Sequence, residues 1–163
     1  MTGLNNKPIL VIGIGNPLLS DDGVGLQLLE NISKKSNELS DDIEYIDGGT
    51  QGIALLGRIA NRKAILFLDA IAMGDSPGTI HELTGDEVLK HKSEKTTAHE
   101  SGAADILRTA MLTGDLPASV HIIGIEPEEL KTSIGLSEKV QNSLAMAEER
   151  IISCLESILD NLK

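Results

Sequence analysis

Aromatic residues, cysteine and long apolar runs are all scarce in this sequence. Tyr45 and Phe67 are its only Phe, Tyr or Trp residues, which argues against a stacking platform for bases or sugars. Cys154 is the single cysteine, so no disulfide can form within the chain, and we expect it to be a core thiol. No apolar run approaches the roughly 20 residues of a membrane-spanning helix, and residues 1–7 lack an apolar signal stretch. These absences predict a cytoplasmic protein without a membrane segment.

Basic residues are also few compared with acidic residues. The 163 residues include 14 lysines and arginines against 25 aspartates and glutamates, and the net charge is −11. Such a surface repels nucleic acid and suits a cation or a basic partner. The length predicts one domain over residues 1–163, and the 40% of apolar residues supports a core of Ile, Leu, Val and Ala. Because no long exposed apolar stripe is evident, we expect a monomer.

The rest of the chain is organised around residues 8–26. Ile9 to Ile14 form an apolar run without alternation, which is typical of a strand covered on both faces in a parallel sheet. Gly13 and Gly15 permit a tight turn and a close approach of other backbone atoms. A buried strand that leads into a glycine turn is therefore predicted.

A helix with acidic residues in its first turn is expected to follow. Ser20 is a favourable N-cap, and Asp21 and Asp22 suit the positive end of a helix dipole. Both carboxylates are predicted to lie just beyond the carboxyl end of the first strand. In open α/β sheets, binding sites are built at this edge.

Strands and helices alternate along the remaining sequence. Strands are expected near residues 9–14, 44–46, 64–71, 79–83 and 120–125, and helices near 24–32, 53–59, 103–111 and 137–159. Ser137 is the predicted N-cap of the last helix. The turn at 75–78 is too short for a crossover helix, so the fourth strand is expected to be antiparallel to its neighbour. The alternation predicts an α/β protein of three layers, α/β/α, with a mostly parallel twisted sheet.

Three candidate metal ligands come from separate parts of the chain. Asp22 follows the first strand, Asp69 ends the third, and His99 follows the polar loop at 90–98. If the first and third strands are neighbours, both carboxylates face one crevice, and the loop can deliver the imidazole to it. Two carboxylates and one imidazole suit a divalent transition metal with open positions for water or substrate.

Each of these residues also has an ordinary structural explanation. A carboxylate in a first helical turn is often only a dipole partner, and a histidine beside a polar loop is usually solvated. His91 is as available as His99, whereas His81 and His121 lie in predicted strands and are expected to be structural or on the surface.

Familiar catalytic motifs are incomplete in this sequence. The stretch from Gly13 resembles a dinucleotide-binding G-x-G-x-x-G motif but has Leu18 at the third glycine. His99-Glu100 opens like the zinc protease motif H-E-x-x-H, but Ala103 takes the place of the second histidine. No G-x-S-x-G elbow is present. Ordinary serine, cysteine and zinc-helix proteases are therefore not supported.

Four ordered motifs resemble one known family, the hydrogenase maturation endopeptidases. They are Gly13 to Gly25, Asp47-Gly48-Gly49-Thr50, Leu68-Asp69-Ala70 and the position of His99, and Gly124-Ile125-Glu126-Pro127 is also similar to the family. The resemblance extends over nearly the whole chain. It implies a phosphorylase/hydrolase-like fold with a five-stranded mixed sheet and helices on both faces.

The resemblance also implies an activity. It is a single cut that removes the C-terminal extension of a [NiFe] hydrogenase large-subunit precursor after nickel insertion. Asp22, Asp69 and His99 match the family's metal-contacting and catalytic positions, with Asp22 where some members have glutamate. The implied nickel is presented by the precursor, so no tightly bound metal of the protease's own is expected. Residues Asp47, Gly48, Gly49 and Thr50 are implied to help bind the substrate.

Two other functions fit part of the sequence. The two glycine turns would suit a nucleotide- or cofactor-binding α/β module, although this leaves Asp69 and His99 without a role. A metal-sensing chaperone that binds the precursor without cutting it would use the same three ligands.

Overall fold

The structure is a computed structural model, and it describes residues 6–35, 38–90 and 102–163. Its strands are β1 (Ile9–Ile14), β2 (Ile43–Gly49), β3 (Ala64–Ala70), β4 (Ile80–Thr84) and β5 (Ser119–Ile125). Its helices are α1 (Val24–Ser33), α2 (Leu56–Ile59), α3 (Gly85–Lys90), α4 (Ala103–Thr113) and α5 (Glu138–Asn161). Short 3-10 turns at Ser20–Gly23 and Gly52–Leu55 precede α1 and α2.

The strands form one five-stranded sheet in the order β2-β1-β3-β5-β4. All neighbours are parallel except β4, which is antiparallel to β5. The mixed sheet and its single antiparallel strand are confirmed, and β1 and β3 are neighbours, as the site hypothesis required. The neighbour of β4 is β5, which lies between β3 and β4.

Each strand of the sheet's centre buries both of its faces. On one face, alternate residues of β1, β3 and β5 pack with the apolar sides of α1 and α5. On the other face, the intervening residues pack with α2, α3 and α4. This explains the unbroken apolar runs in the sequence, because a central strand of a three-layer fold has no solvent face. The predicted α/β/α layers are confirmed.

Of the two predicted serine N-caps, Ser20 is wrong and the position of Ser137 is confirmed. Ser20 opens the 3-10 turn with a positive φ of 54° and donates its hydroxyl to the carbonyl of Gly135. Gly23 occupies the N-cap of α1. Ser137 does stand at the N-cap of α5, but its hydroxyl donates to Asp21 instead of capping the helix.

Two other assignments differ from the sequence-based expectation. Strand β2 continues through Asp47 to Gly49, which the sequence assigned to a turn. Helix α3 was not predicted, and it takes the start of the expected polar loop at Lys90. The rest of that loop, at 91–98, lies outside the described residues. Within the described residues, no helix has the length and apolar character needed to cross a bilayer.

Candidate active site

Asp22 lies in the 3-10 turn between β1 and α1. Its Oδ2 accepts the backbone N–H of Asn16 at 2.8 Å, so the carboxylate is fixed across its own turn. Gly15 makes this turn possible, because it has a φ of 138° and a Cβ there would overlap the carbonyl oxygen of Asp22. The side chain therefore lies at the carboxyl edge of β1, as predicted, although it precedes α1 instead of forming its first turn.

Asp69 is the penultimate residue of β3 and points toward the face covered by α4. Its Oδ1 accepts the N–H of Ala70 at 2.8 Å, and its Oδ2 accepts the N–H of Ala103 at 3.1 Å. Ala103 is the first residue of α4, so the carboxylate faces the positive end of that helix. Two N–H donors thus hold Asp69 in one orientation.

The two carboxylates meet across the β1–β3 boundary. Asp22 is 8% exposed and Asp69 is 9% exposed. Gly25 lets α1 approach this boundary, because a Cβ at that position would overlap the carbonyl oxygens of Leu68 and Ile14. Burial, together with the nearby charge of Asp22, raises the pKa of Asp69 to about 7 despite its two N–H donors. A pair of buried, coupled carboxylates is an arrangement suited to a bound cation.

The third predicted ligand, His99, lies outside the described residues, and so does the alternative His91. Gly102 is the N-cap of α4, and a Cβ there would lie 3.6 Å from the Oδ2 of Asp69. His99 stands three positions earlier in the sequence. The role of His99 stays a prediction.

The second glycine motif lies against the first. The N–H of Gly15 donates to the carbonyl of Gly49 at 3.0 Å, and Gly48 is the extra residue of a bulge in β2 opposite the end of β1. Asp47 and Thr50 are exposed. The motif's glycines therefore shape the backbone beside the Asp22 turn, and its polar side chains face solvent.

A surface cavity of about 500 Å³ joins the two motifs. It runs along α1, with Pro17 and Gly23 from the first motif and Asp47 and Tyr45 from β2 among its lining residues. Asp22 and Asp69 do not line it. The cavity is thus adjacent to the carboxylate pair and separate from it.

Asp21 has a role that the sequence did not reveal. It is fully buried, and its carboxylate accepts the backbone N–H groups of Glu128 and Glu129 at 2.9 Å and that of Ser137 at 2.7 Å. Burial alone would raise the pKa of Asp21, but these donors and the Ser137 hydroxyl hold it below its usual value. Asp21 therefore fastens the loop after β5 to the Asp22 turn.

Comparison with known proteins then identifies the family. A family model described as hydrogenase maturation protease matches residues 26–154. The chain belongs to the hydrogenase maturation protease family. This membership favours a protease over the nucleotide-binding module that the glycine turns also suggested.

Members of the hydrogenase maturation protease family are similar to this chain in sequence and structure. The chain is 36% identical to the hydrogenase 2 maturation protease of Escherichia coli K12, over 90% of each protein. It is 33% identical to the hydrogenase expression/formation protein HupD of Thiocapsa roseopersicina, over 89% of this chain and 68% of that protein. The E. coli endopeptidase HybD superposes with a TM-score of 0.80 at 35% identity, over 91% of this chain and 92% of HybD.

Another group of polar side chains lies at the same edge of the sheet, where β5 ends and β4 begins. Glu126, directly after β5, is buried and accepts the N–H of Met73 at 2.8 Å and that of Asp75 at 3.0 Å. His81 of β4 is also buried, and its Nε2 lies 3.3 Å from the Oε1 of Glu126. The motif at Gly124–Pro127 pointed to Glu126, but nothing in the sequence linked it to His81.

Proposed function

We propose that this chain is the endopeptidase that removes the C-terminal extension of a [NiFe] hydrogenase large-subunit precursor after nickel insertion. In this proposal Asp22, Asp69 and His99 contact the nickel that the precursor presents. The observation that carries it is the convergence of Asp22 and Asp69 at the carboxyl edge of β1 and β3 in a chain of the maturation protease family.

The orientation of the two carboxylates supports contact with a cation. Backbone N–H groups hold one oxygen of Asp22 and both oxygens of Asp69, so the ligand positions are set before substrate arrives. Bringing a divalent ion to this place offsets the repulsion between the two buried charges. Two oxygen donors and one imidazole leave further coordination positions for the groups that already hold the nickel in the precursor.

The same carboxylates provide groups for peptide hydrolysis. A carboxylate can accept a proton from the water that attacks the scissile carbonyl. Nickel held by the substrate would position the peptide and polarise that carbonyl. We assign the base to the Asp22–Asp69 pair as a unit, because neither side chain is distinguished from the other by its place at the sheet edge.

A protein substrate also needs a surface next to the site. Leu18 and Ile134 are 57% and 84% exposed, and the loops that carry them are joined by the N–H of Ser133, which donates to the carbonyl of Leu18. Exposed apolar side chains beside a site are typical of a surface that binds protein. We propose that this pair contacts the folded precursor and that residues 47–50 contact its extension.

The test is a comparison of nickel-loaded and nickel-free precursor. Each is incubated with purified protein, and the mass of the large subunit is then measured. We expect loss of the extension from the nickel-loaded precursor alone. Tight binding without any change in mass would instead support the non-cleaving sensor. Cleavage of both forms at the same rate would contradict recognition through nickel.

A further inference from the structure

Three ligand-type side chains meet at the antiparallel corner of the sheet. Asp75 lies in the turn before β4, His81 is the second residue of β4, and Glu126 follows β5. One ligand atom from each lies within 4.8 Å of the other two. Among the described residues, they are the one group of three with this spacing.

We propose that Asp75, His81 and Glu126 form a second metal site, which binds a divalent first-row transition ion such as Zn²⁺. The Nε2 of His81 lies 3.3 Å from the Oε1 of Glu126 and 3.8 Å from the Oδ2 of Asp75. Ligands bound at about 2.0–2.2 Å around one ion lie roughly 3 to 3.5 Å from each other. Since the ligand atoms are at most 4.8 Å apart, the side chains would have to move together by up to about 1 Å to surround one ion.

A hydrogen bond between His81 and Glu126 does not account for the whole group. At 3.8 Å, the Oδ2 of Asp75 is beyond hydrogen-bond distance of the same Nε2. Asp75 therefore lies near the same imidazole nitrogen as Glu126 but accepts no hydrogen bond from it. A dication placed between them would balance both negative charges and use the imidazole as a neutral ligand.

Glu126 accepts hydrogen bonds from backbone N–H groups, as carboxylates that bind metals usually do. The N–H groups of Met73 and Asp75 donate to its Oε1 and fix the plane of the carboxylate. Because Oε1 already accepts both of these N–H groups, the ion would bind Oε2, which shares only the Met73 N–H, at 3.2 Å, and keeps an acceptor position. His81 and Glu126 are buried, whereas Asp75 is exposed, so an ion could reach the group from solvent on the Asp75 side.

The donor set determines the class of ion. One imidazole nitrogen with two carboxylate oxygens suits Zn²⁺, Ni²⁺ or Co²⁺, whereas Mg²⁺ and Ca²⁺ prefer oxygen ligands alone. The site is separate from the Asp22–Asp69 pair, for which no resident metal is expected. Bound metal would connect the segment at 71–79, which directly follows β3, to the end of β5 and would stabilise the folded protein.

The experiment is calorimetric titration of the metal-free full-length protein with Zn²⁺. Asp22→Asn and Asp69→Asn are present throughout, so that the proposed nickel-contacting pair does not contribute. We expect one equivalent to bind, with an affinity that falls at least about tenfold in Asp75→Asn and in His81→Gln. His121→Gln is the matched control, since His121 is a half-buried histidine of the adjacent strand that contacts Ser119, and it should leave the affinity unchanged.

Asp75 is exposed, so its substitution keeps the test valid even if His81→Gln fails to fold. Unchanged Zn²⁺ affinity in Asp75→Asn, or no binding before either substitution, would overturn the second site. Neither result bears on precursor cleavage, which is measured with the Asp22 and Asp69 side chains intact. The two proposals can therefore fail independently.

Discussion

Asp21 and Ser137 form two hydrogen bonds although 116 positions separate them. The backbone N–H of Ser137 donates to Oδ1 at 2.7 Å, and its hydroxyl donates to Oδ2 at 2.8 Å. The start of α5 is thereby attached to the turn that carries Asp22. The two adjacent aspartates thus differ in their surroundings. Asp21 joins the start of α5 to this turn by hydrogen bonds, whereas Asp22 lies at the candidate site.

Asn substitutions at these neighbours should separate stability from activity. Asp21→Asn replaces one carboxylate oxygen with an NH₂ group that cannot accept a hydrogen bond. This leaves at least one donor without its acceptor and should lower the free energy of unfolding by about 1–3 kcal/mol. Asp22→Asn should have a smaller effect, because its Oδ1 can still accept the Asn16 N–H, but it should abolish processing. Urea denaturation and precursor cleavage measure the two effects. Equal loss of stability in both variants would contradict this division of roles.

The Asp21 contacts should also make stability depend on pH. Because its folded-state pKa lies below the unfolded value of about 4, the unfolded chain binds a proton first as the pH falls. The stabilisation is therefore complete above about pH 4 and is lost as the pH falls through the folded-state pKa. The difference in unfolding free energy between the natural protein and Asp21→Asn should shrink below pH 4. If this difference in unfolding free energy were the same at pH 3 and pH 7, the proposed pH dependence would be wrong.

Gly25 should be intolerant of any side chain. A Cβ there would overlap two carbonyl oxygens at the β1–β3 boundary, so Gly25→Ala should move α1 outward and lower the free energy of unfolding by about 1–3 kcal/mol. Gly57→Ala is the control, since a Cβ on this α2 residue has no described atom within 4 Å. It should be neutral or stabilising by up to about 1 kcal/mol. Thermal or urea unfolding measures the free energy of unfolding of both variants. Similar values for Gly25→Ala and Gly57→Ala would show that the close approach at Gly25 does not contribute to stability.

The exposed apolar pair beside the site should affect precursor binding. Ile134→Asp should raise the KM for nickel-loaded precursor while the free energy of unfolding stays the same, because the side chain is 84% exposed. Leu112→Asp is a matched change at a residue that is 83% exposed near the far end of α4. It should leave KM as it is. An equal KM for both variants would exclude Ile134 from the docking surface.

Local patterns in the sequence were enough for most of the fold. Apolar runs at Ile9–Ile14 and Ala64–Ala70 showed strands without a solvent face, whereas the pairing of these two strands was only a condition of the site hypothesis and is shown by the structure. Asp69 could be predicted because a charge that closes such a run is unusual. The single domain over residues 1–163, the monomeric state and the cytoplasmic location stay predictions.

Long-range contacts explain what the sequence did not reveal. Nothing local distinguishes Asp21 from Asp22, because the partners of Asp21 lie 107 to 116 positions away. Ser20 has the chemistry of a cap, yet its hydroxyl is taken by Gly135 on another loop. His81 and Glu126 meet only because β4 pairs with β5, which a reading of neighbouring residues does not show.

Cleavage of nickel-loaded precursor by Asp69→Asn protein tests the central claim most directly. Asparagine keeps the shape of the side chain and removes the negative charge that Asp69 contributes to the pair. Urea denaturation first establishes that the variant is folded, since one of its two backbone N–H donors loses an acceptor. The account predicts that the large subunit keeps the mass of the precursor after a time in which the natural protein cleaves all of it. Cleavage at the natural rate by the folded variant would contradict the account.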